Sequence, residues 1–252
     1  MLGRRFGRVL KAAFEPRHYL GLARGLWIYR RPFRQIWRYV AMSGAYPDRV
    51  AVRTPLGPVQ VDLFAPDDLV TVNEIFCRND YRPRVPLEVV VDIGANIGVS
   101  ALYWLSRNER AFAYLYEPLP RNVERLRRNL SGFEGRFEIV EAAVGLADGR
   151  AAFHWEPTGR YGGLTQAGLA ETVEVACRDA ATIFREIHER HGRIDLLKVD
   201  VEGLEVDILD RIPDDVRRDI AQIVVEHPYD SNPWADIFHM DVRGLVTTFM
   251  RR

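Results

Sequence analysis

The fold is decided by residues 89–98, which read Val-Val-Val-Asp-Ile-Gly-Ala-Asn-Ile-Gly. A continuous run of Val and Ile is typical of a strand that is buried on both faces of a parallel sheet. Gly94 and Gly98 lack a Cβ atom, so the chain can turn tightly after the strand and a ligand can approach the backbone. The pattern predicts a strand, a turn at the carboxyl edge of the sheet and then a helix, which is where α/β proteins bind nucleotide-containing ligands.

This turn departs from the dinucleotide-binding pattern, which has three glycines spaced as Gly-x-Gly-x-x-Gly. Asn96 stands at the middle glycine position, and Asp92 precedes the first glycine by two residues. A carboxylate there would repel a pyrophosphate, and it favours a ligand with a positive charge or an amino group, such as S-adenosylmethionine. The alternative is an ordinary strand-to-helix turn without a ligand.

Length and composition fit one α/β domain with an appendage, since the chain has 252 residues, 47% hydrophobic content and a formal net charge of zero. The basic side chains are concentrated at one end, because residues 1–40 contain nine Arg and Lys11 but only one acid, Glu15. Two cysteines, Cys77 and Cys177, are too few for a disulfide framework. No stretch resembles a membrane span or a signal peptide, so we expect a cytoplasmic protein.

Residues 1–45 are predicted to be a basic, aromatic-rich helical appendage, and residues 46–252 the main domain. The apolar spacing suggests amphipathic helices interrupted near Pro16 and Pro32. Two interpretations of residues 1–40 stay open. They form a surface for peripheral contact with an anionic membrane or an acidic substrate, or a helical lid whose aromatic side chains pack on the main domain. Nucleic acid is not an expected partner, because the chain is neutral and has no recognisable nucleic-acid motif.

From Val89 onward, strands alternate with helices, which is typical of βαβ units in a doubly wound, mostly parallel sheet. The predicted strands are 89–93, 112–116, 137–142, 194–200, 221–227 and 245–250. The predicted helices are 97–106, 120–130, 179–190, 204–210 and 233–242. Hairpins are predicted for residues 50–63 and for 151–156 with 171–176, and a helix for 69–77.

The ends of the second and third predicted strands each contribute one residue to a candidate nucleoside site. Glu117 follows the second strand, 25 residues after Asp92, and is placed to accept hydrogen bonds from both ribose hydroxyls of an adenosine. Ala142, at the end of the third strand, leaves room for an adenine ring. A solvated strand-end carboxylate is the alternative for Glu117.

The fourth strand ends with three ionisable residues, Lys198, Asp200 and Glu202, which on an extended chain would face one side. The two carboxylates could bind a substrate hydroxyl or ammonium group, orient a base, or hold a divalent cation such as Mg²⁺. Alternatively, Lys198 neutralises them in a buried ion-pair network.

His227 ends the fifth strand at the same predicted sheet edge, and an imidazole is suited to accept a hydroxyl proton near neutral pH. It is therefore the candidate base or substrate ligand. The other histidines are interpreted as structural, and of these His154 is kept as a reserve candidate for a functional role. They are His18, His154, His188, His191 and His239.

Four motifs, at residues 90–98, 116–118, 142–149 and 197–205, together resemble the FkbM family of S-adenosylmethionine-dependent methyltransferases over about residues 67–227. The resemblance implies a class I (Rossmann-like) methyltransferase fold. It also implies that Asp92, Gly94, Asn96 and Gly98 surround the methionine part of the cofactor, that Glu117 binds its ribose, and that Asp200 and Glu202 lie near the transferred methyl group. Glu74 and Tyr81, in the approach to the first motif, are implied to touch cofactor or substrate.

The chain departs from the family around residues 160–164, which puts the family's substrate in doubt, and it stops soon after the last predicted strand, so the terminal antiparallel pair is expected to be incomplete. The function predicted is O-methylation of a hydroxyl on a sugar, glycolipid or other small natural product, with Mg²⁺ dependence left open. The alternatives are an NAD-dependent oxidoreductase, and a non-catalytic cofactor-binding module recruited to a membrane or polyanion.

Overall fold

The structure is a computed structural model that describes residues 16–156, 162–165 and 171–252. The chain divides into two compact units, Met1–Asp80 and Tyr81–Arg252. Within the first unit, an isolated bridge joins Tyr29, just after the first helix, to Val52 of the hairpin that follows residue 45.

The described part of the first unit contains two helices, a hairpin and a further helix. Proline begins each of these three helices, as expected for a residue that has no N–H to leave unpaired in the first turn. The elements are α1 Pro16–Ile28, α2 Pro32–Ala41, β1 Asp48–Thr54, β2 Gly57–Leu63 and α3 Pro66–Val72, followed by a π-helical turn at Asn73–Cys77.

The second unit alternates strands and helices. Its elements are β3 Val89–Ile93, α4 Val99–Leu105, β4 Phe112–Tyr116, α5 Pro120–Asn129, β5 Phe137–Val140, β6 Ala143–Gly145, β7 Gly149–Trp155, β8 Gly162–Gly163, β9 Glu171–Asp179, α6 Ala180–His191, β10 Ile194–Val199, α7 Glu205–Asp210, α8 Asp214–Arg218, β11 Ile220–Val225, β12 Phe238–Arg243 and β13 Val246–Arg251.

Within the described part of this unit, seven strands form the main sheet in the order β12-β13-β11-β10-β3-β4-β5. The strands β11, β10, β3, β4 and β5 run parallel. Every residue of β3 and β10 is buried, which explains the continuous apolar runs at the centre of the sheet. The fold is the predicted doubly wound, mostly parallel α/β sheet, and the carboxyl ends of β3, β4 and β10 meet at one edge.

The helix predicted at residues 233–242 is wrong. Residues Phe238–Arg243 form β12, which pairs antiparallel with β13. Gly244, with φ of 66°, and Leu245 form a two-residue turn between them, and a positive φ at the first turn position is typical of a hairpin. The terminal antiparallel pair is therefore present, whereas the sequence analysis expected it to be incomplete.

The third predicted strand, 137–142, also ends early. β5 stops at Val140, and residues Ala143–Gly145 join a second sheet with the described order β6-β9-β7-β8. This second sheet contains the predicted hairpin, with β7 antiparallel to β9. The crossing leaves Ala142 between the two sheets, at the edge where the central strands end.

Candidate active site

The turn after β3 is held tightly against its neighbours. The amides of Gly94 and Ala95 both donate to the carbonyl oxygen of Tyr116, at 3.0 Å each. Gly94 has φ of 81°, and a Cβ atom there would lie 1.9 Å from the carbonyl oxygen of Asp200. A glycine is therefore required at position 94 because the chain after β10 passes close to it, independently of any ligand.

The rest of the turn leads into α4. Asn96 is in the left-handed region with φ of 49°, a conformation that asparagine adopts more readily than most residues. Gly98 has φ of 82° and precedes α4, and a Cβ atom on it would lie 3.0 Å from Cγ of Leu126. Gly98 thus lets α4 and α5 pack closely.

A buried ion pair joins the two central strands. The Nζ atom of Lys198 lies 3.0 Å from Asp92 Oδ1 and 3.3 Å from Asp200 Oδ2, and it donates to the carbonyl oxygen of Gly94 at 2.7 Å. Ser100 donates to Asp92 Oδ2 at 2.5 Å. Burial lowers the pKa of Lys198, but the two carboxylates outweigh burial and raise this pKa above its ordinary value, so Lys198 is charged.

The alternative considered for Lys198 was a buried ion-pair network with Asp200 and Glu202; Lys198 does pair with Asp200, but its other carboxylate partner is Asp92. Asp92 has no exposed surface, and its charge is balanced inside the protein by Lys198. It therefore acts by fixing the turn after β3.

Glu117 is buried, and backbone and side-chain donors surround its carboxylate. It accepts hydrogen bonds from the amide of Asn96 at 2.9 Å, the amide of Leu119 at 3.1 Å and Nδ2 of Asn122 at 3.1 Å. Burial raises the pKa of Glu117 to about 7, although these hydrogen bonds lower it. A carboxylate with such a pKa gains free energy when a ligand supplies further hydrogen-bond donors.

A cavity opens at this sheet edge, between the turn after β3 and the segment after β10. Its polar lining comes from Asn96, Glu117, Asn122, Asp200 and Glu202. Part of its apolar wall comes from Phe153, Leu164, Val201 and Leu204. The mixture of apolar walls and a few polar groups is typical of a small-molecule site.

The cavity brings together six of the residues that the sequence analysis singled out: Gly94, Asn96, Glu117, Ala142, Asp200 and Glu202. Asp92 and Gly98 lie outside this lining, in the ion pair and the helix start described above.

The expected alternation of residues 198, 200 and 202 along an extended strand is wrong. β10 ends at Val199, and Glu202 has φ of 58°, so the chain turns sharply. The carboxylate of Glu205 holds this turn by accepting from the amides of Val201 and Gly203, at 3.2 and 3.0 Å. Asp200 and Glu202 nevertheless both face the cavity.

The remaining predicted residues have other surroundings. His227 is half-buried, its ring centroid is 5.0 Å from that of Tyr229, and it is not among the described residues that line the cavity. Tyr81 is buried beside Trp104, and its ring centroid is 5.8 Å from Nζ of Lys198. Glu74 belongs to the first unit, where it lies 3.6 Å from Arg78.

Several residues that line the cavity were not predicted from the sequence. Asn122 had a local signal, since it lies in the first turn of the helix that follows Glu117. Phe153 and Leu164 had none, because they reach the cavity only through the pairing of β7, β8 and β9, which depends on residues far apart in sequence.

Metal ligation was left open for Asp200 and Glu202. Across residues 16–156, 162–165 and 171–252, no group of three or more His, Cys, Asp or Glu side chains is arranged to hold a metal ion.

Comparison with known protein families gives a match that includes the candidate site. The model of the methyltransferase FkbM domain matches residues 92–243, which is more than half of the chain. The match runs from Asp92 to the end of β12 and so includes the turn after β3, Glu117, Asp200 and Glu202.

Individual relatives are distant. The chain is 27% identical over 197 residues to the AMB antimetabolite synthetase AmbE of Pseudomonas aeruginosa, covering 62% of this chain and 9% of AmbE. It is 35% identical over 69 residues to the 2-O-methyltransferase NoeI of Sinorhizobium fredii, covering 27% of this chain and 28% of NoeI. A structure of methyltransferase FkbM from Methylobacillus flagellatus superposes with a TM-score of 0.43 and 13% identity, over 86% of this chain and 59% of that one. The chain thus spans only part of the length of each of these proteins.

Proposed function

Because the chain belongs to the methyltransferase FkbM family, we propose that it transfers a methyl group from S-adenosylmethionine to a hydroxyl of a sugar, glycolipid or other small natural product. The observation that carries the proposal is the cavity in which the buried carboxylate of Glu117 and the partly exposed carboxylate of Asp200 face the same space. The carboxylate of Glu117 is suited to bind the cofactor, and that of Asp200 to bind the acceptor. The proposal also includes a cytoplasmic location, in keeping with the free thiols of Cys77 and Cys177.

The residues of the cavity fit the proposed cofactor. Glu117 has two carboxylate oxygens for the two ribose hydroxyls, and a buried charge of this kind is stabilised by such donors. Ala142 offers a small side chain next to the adenine. Gly94 and Asn96 lie at the turn proposed for the methionine part, where Lys198 already balances the charge of Asp92.

Once bound, S-adenosylmethionine supplies an electrophilic methyl carbon on a sulfonium. Transfer would join the acceptor oxygen to this carbon as the carbon–sulfur bond breaks, with S-adenosylhomocysteine as the leaving group and the hydroxyl proton taken up by a base. The protein must therefore hold the acceptor oxygen in line with the breaking bond. We assign this positioning to Asp200 and Glu202, and His227 is the candidate base.

Substitution of these residues tests the assignment. We expect Asp200→Asn to lower kcat/KM for methyl transfer about a hundredfold, while S-adenosylhomocysteine binding, measured separately by calorimetry, is retained. His227→Ala should show a loss of similar size, and His239→Ala, an exposed histidine on β12, is the matched control. Full activity of His227→Ala would remove this residue from the mechanism.

The acceptor and the metal requirement can be found together. A screen of the host's sugars and lipids with methyl-labelled cofactor, with and without EDTA, would identify both. Labelled cofactor that binds but is transferred to no acceptor would favour the alternative of a non-catalytic binding module.

A further inference from the structure

Helices α1 and α2 carry a concentration of exposed apolar side chains. Of the thirteen large apolar side chains that are exposed among the described residues, eight lie within residues 19–42. Seven of them belong to the helices themselves, and we call these seven the aromatic face: Tyr19, Leu20, Leu26, Trp27, Phe33, Trp37 and Val40.

The aromatic face follows helical periodicity. In α2, Phe33, Trp37 and Val40 are spaced at i, i+4 and i+7, and their exposed fractions are 80%, 70% and 61%. The buried residues of the same helix are Gln35 and Arg38. The helix therefore turns polar side chains inward and aromatic side chains outward, the reverse of the usual arrangement in a water-soluble protein.

Helix α1 also presents large apolar side chains to solvent. Trp27 is 80% exposed, and it lies seven residues after the exposed Leu20, on the same side of the helix. Large apolar side chains of both helices are thus exposed to solvent. An exposed apolar stripe of this size indicates a binding surface.

The charge around the aromatic face is of one sign. From residue 16 to residue 47 the sequence has six arginines and no acidic residue. Arg30 and Arg31 are exposed at the junction of the two helices, and the nearby Asp48 is paired with Arg34 and Arg38. A partner that matches this surface must be apolar and negatively charged.

We propose that the aromatic face docks the protein onto an anionic lipid bilayer. Trp and Tyr favour the headgroup region of a bilayer, and clustered arginines are attracted to anionic headgroups. A second copy of the chain would instead bring two arginine-rich surfaces together. Contact is peripheral, since no described helix has both the length and the apolarity to cross a bilayer.

Vesicle binding of the full chain tests this surface. We expect the protein to sediment with vesicles of phosphatidylcholine and phosphatidylglycerol, and much less with vesicles of phosphatidylcholine alone. The double variant Trp27→Ser/Trp37→Ser should lose at least about tenfold in partition coefficient. Arg30→Gln/Arg31→Gln should lose the preference for anionic vesicles. The matched control is Leu245→Ser, which removes an apolar side chain that is 66% exposed in the second unit.

Thermal unfolding of each variant checks that the fold is intact, as expected for substitutions of exposed side chains. Equal vesicle binding of Trp27→Ser/Trp37→Ser and wild type would overturn the proposal. So would a wild-type dimer in sedimentation velocity that the same double variant dissociates, with no binding to anionic vesicles, because the aromatic face would then contact a second copy.

Discussion

Replacing Lys198 with methionine will lower the free energy of unfolding by about 4 kcal/mol, because it leaves the carboxylate of Asp92 buried without a positive partner. Asp92 is fully buried, and Lys198 is its ion-pair partner at 3.0 Å.

Two comparisons isolate the cause. Arg193→Met removes a half-exposed cation that pairs with Glu88 and Asp195, and it should cost at most about 1 kcal/mol. The double variant Asp92→Asn/Lys198→Met should recover part of the loss, because an amide oxygen can still accept from Ser100. Urea unfolding gives each value. A loss in Lys198→Met no larger than in Arg193→Met would contradict the account of the ion pair.

Replacing Gly94 with alanine will lower the free energy of unfolding by about 3 kcal/mol, because the new methyl group would collide with the carbonyl oxygen of Asp200. The backbone at both positions belongs to the centre of the sheet edge, so neither can move freely. Any relaxation would shift Asp200 and thus weaken the proposed methyl transfer as well.

A second glycine separates the collision from the backbone strain. Gly135 has φ of 78°, close to the 81° of Gly94, but a Cβ atom there would meet nothing within 4 Å. Gly135→Ala should therefore lower the free energy of unfolding by only about 1 kcal/mol, which is the cost of placing alanine in the left-handed conformation. Urea unfolding of both variants measures the difference. Equal losses of stability in the two variants would mean that the close approach of Asp200 is not the reason why position 94 needs a glycine.

Much of the central sheet could be predicted because its signals are local. The Val and Ile runs of β3 and β10 locate buried strands, and the glycine turn locates the sheet edge. The helix at residues 233–242 was wrong because the short segment Phe238–Arg243 takes its structure from pairing with β13, and such pairing overrides local propensity.

The candidate site was predictable where residues follow strand ends. Glu117 and Asp200 reach one cavity because the carboxyl ends of neighbouring parallel strands lie side by side. The ion pair of Asp92 with Lys198 could not be predicted in this way, because it depends on the register of β3 against β10. The exposure of the aromatic face was equally hidden, because the same spacing of Trp and Arg fits a packed lid.

The most direct test of the cofactor site is a calorimetric titration of the chain with S-adenosylhomocysteine at pH 8 and pH 6, with NAD in parallel. In the proposed assignment, the ionised carboxylate of Glu117 accepts from both ribose hydroxyls. Its pKa is raised to about 7, so protonation at pH 6 should weaken binding about tenfold. Glu117→Gln should bind more weakly at pH 8 and lose this pH dependence. Binding of NAD without binding of S-adenosylhomocysteine would contradict the account.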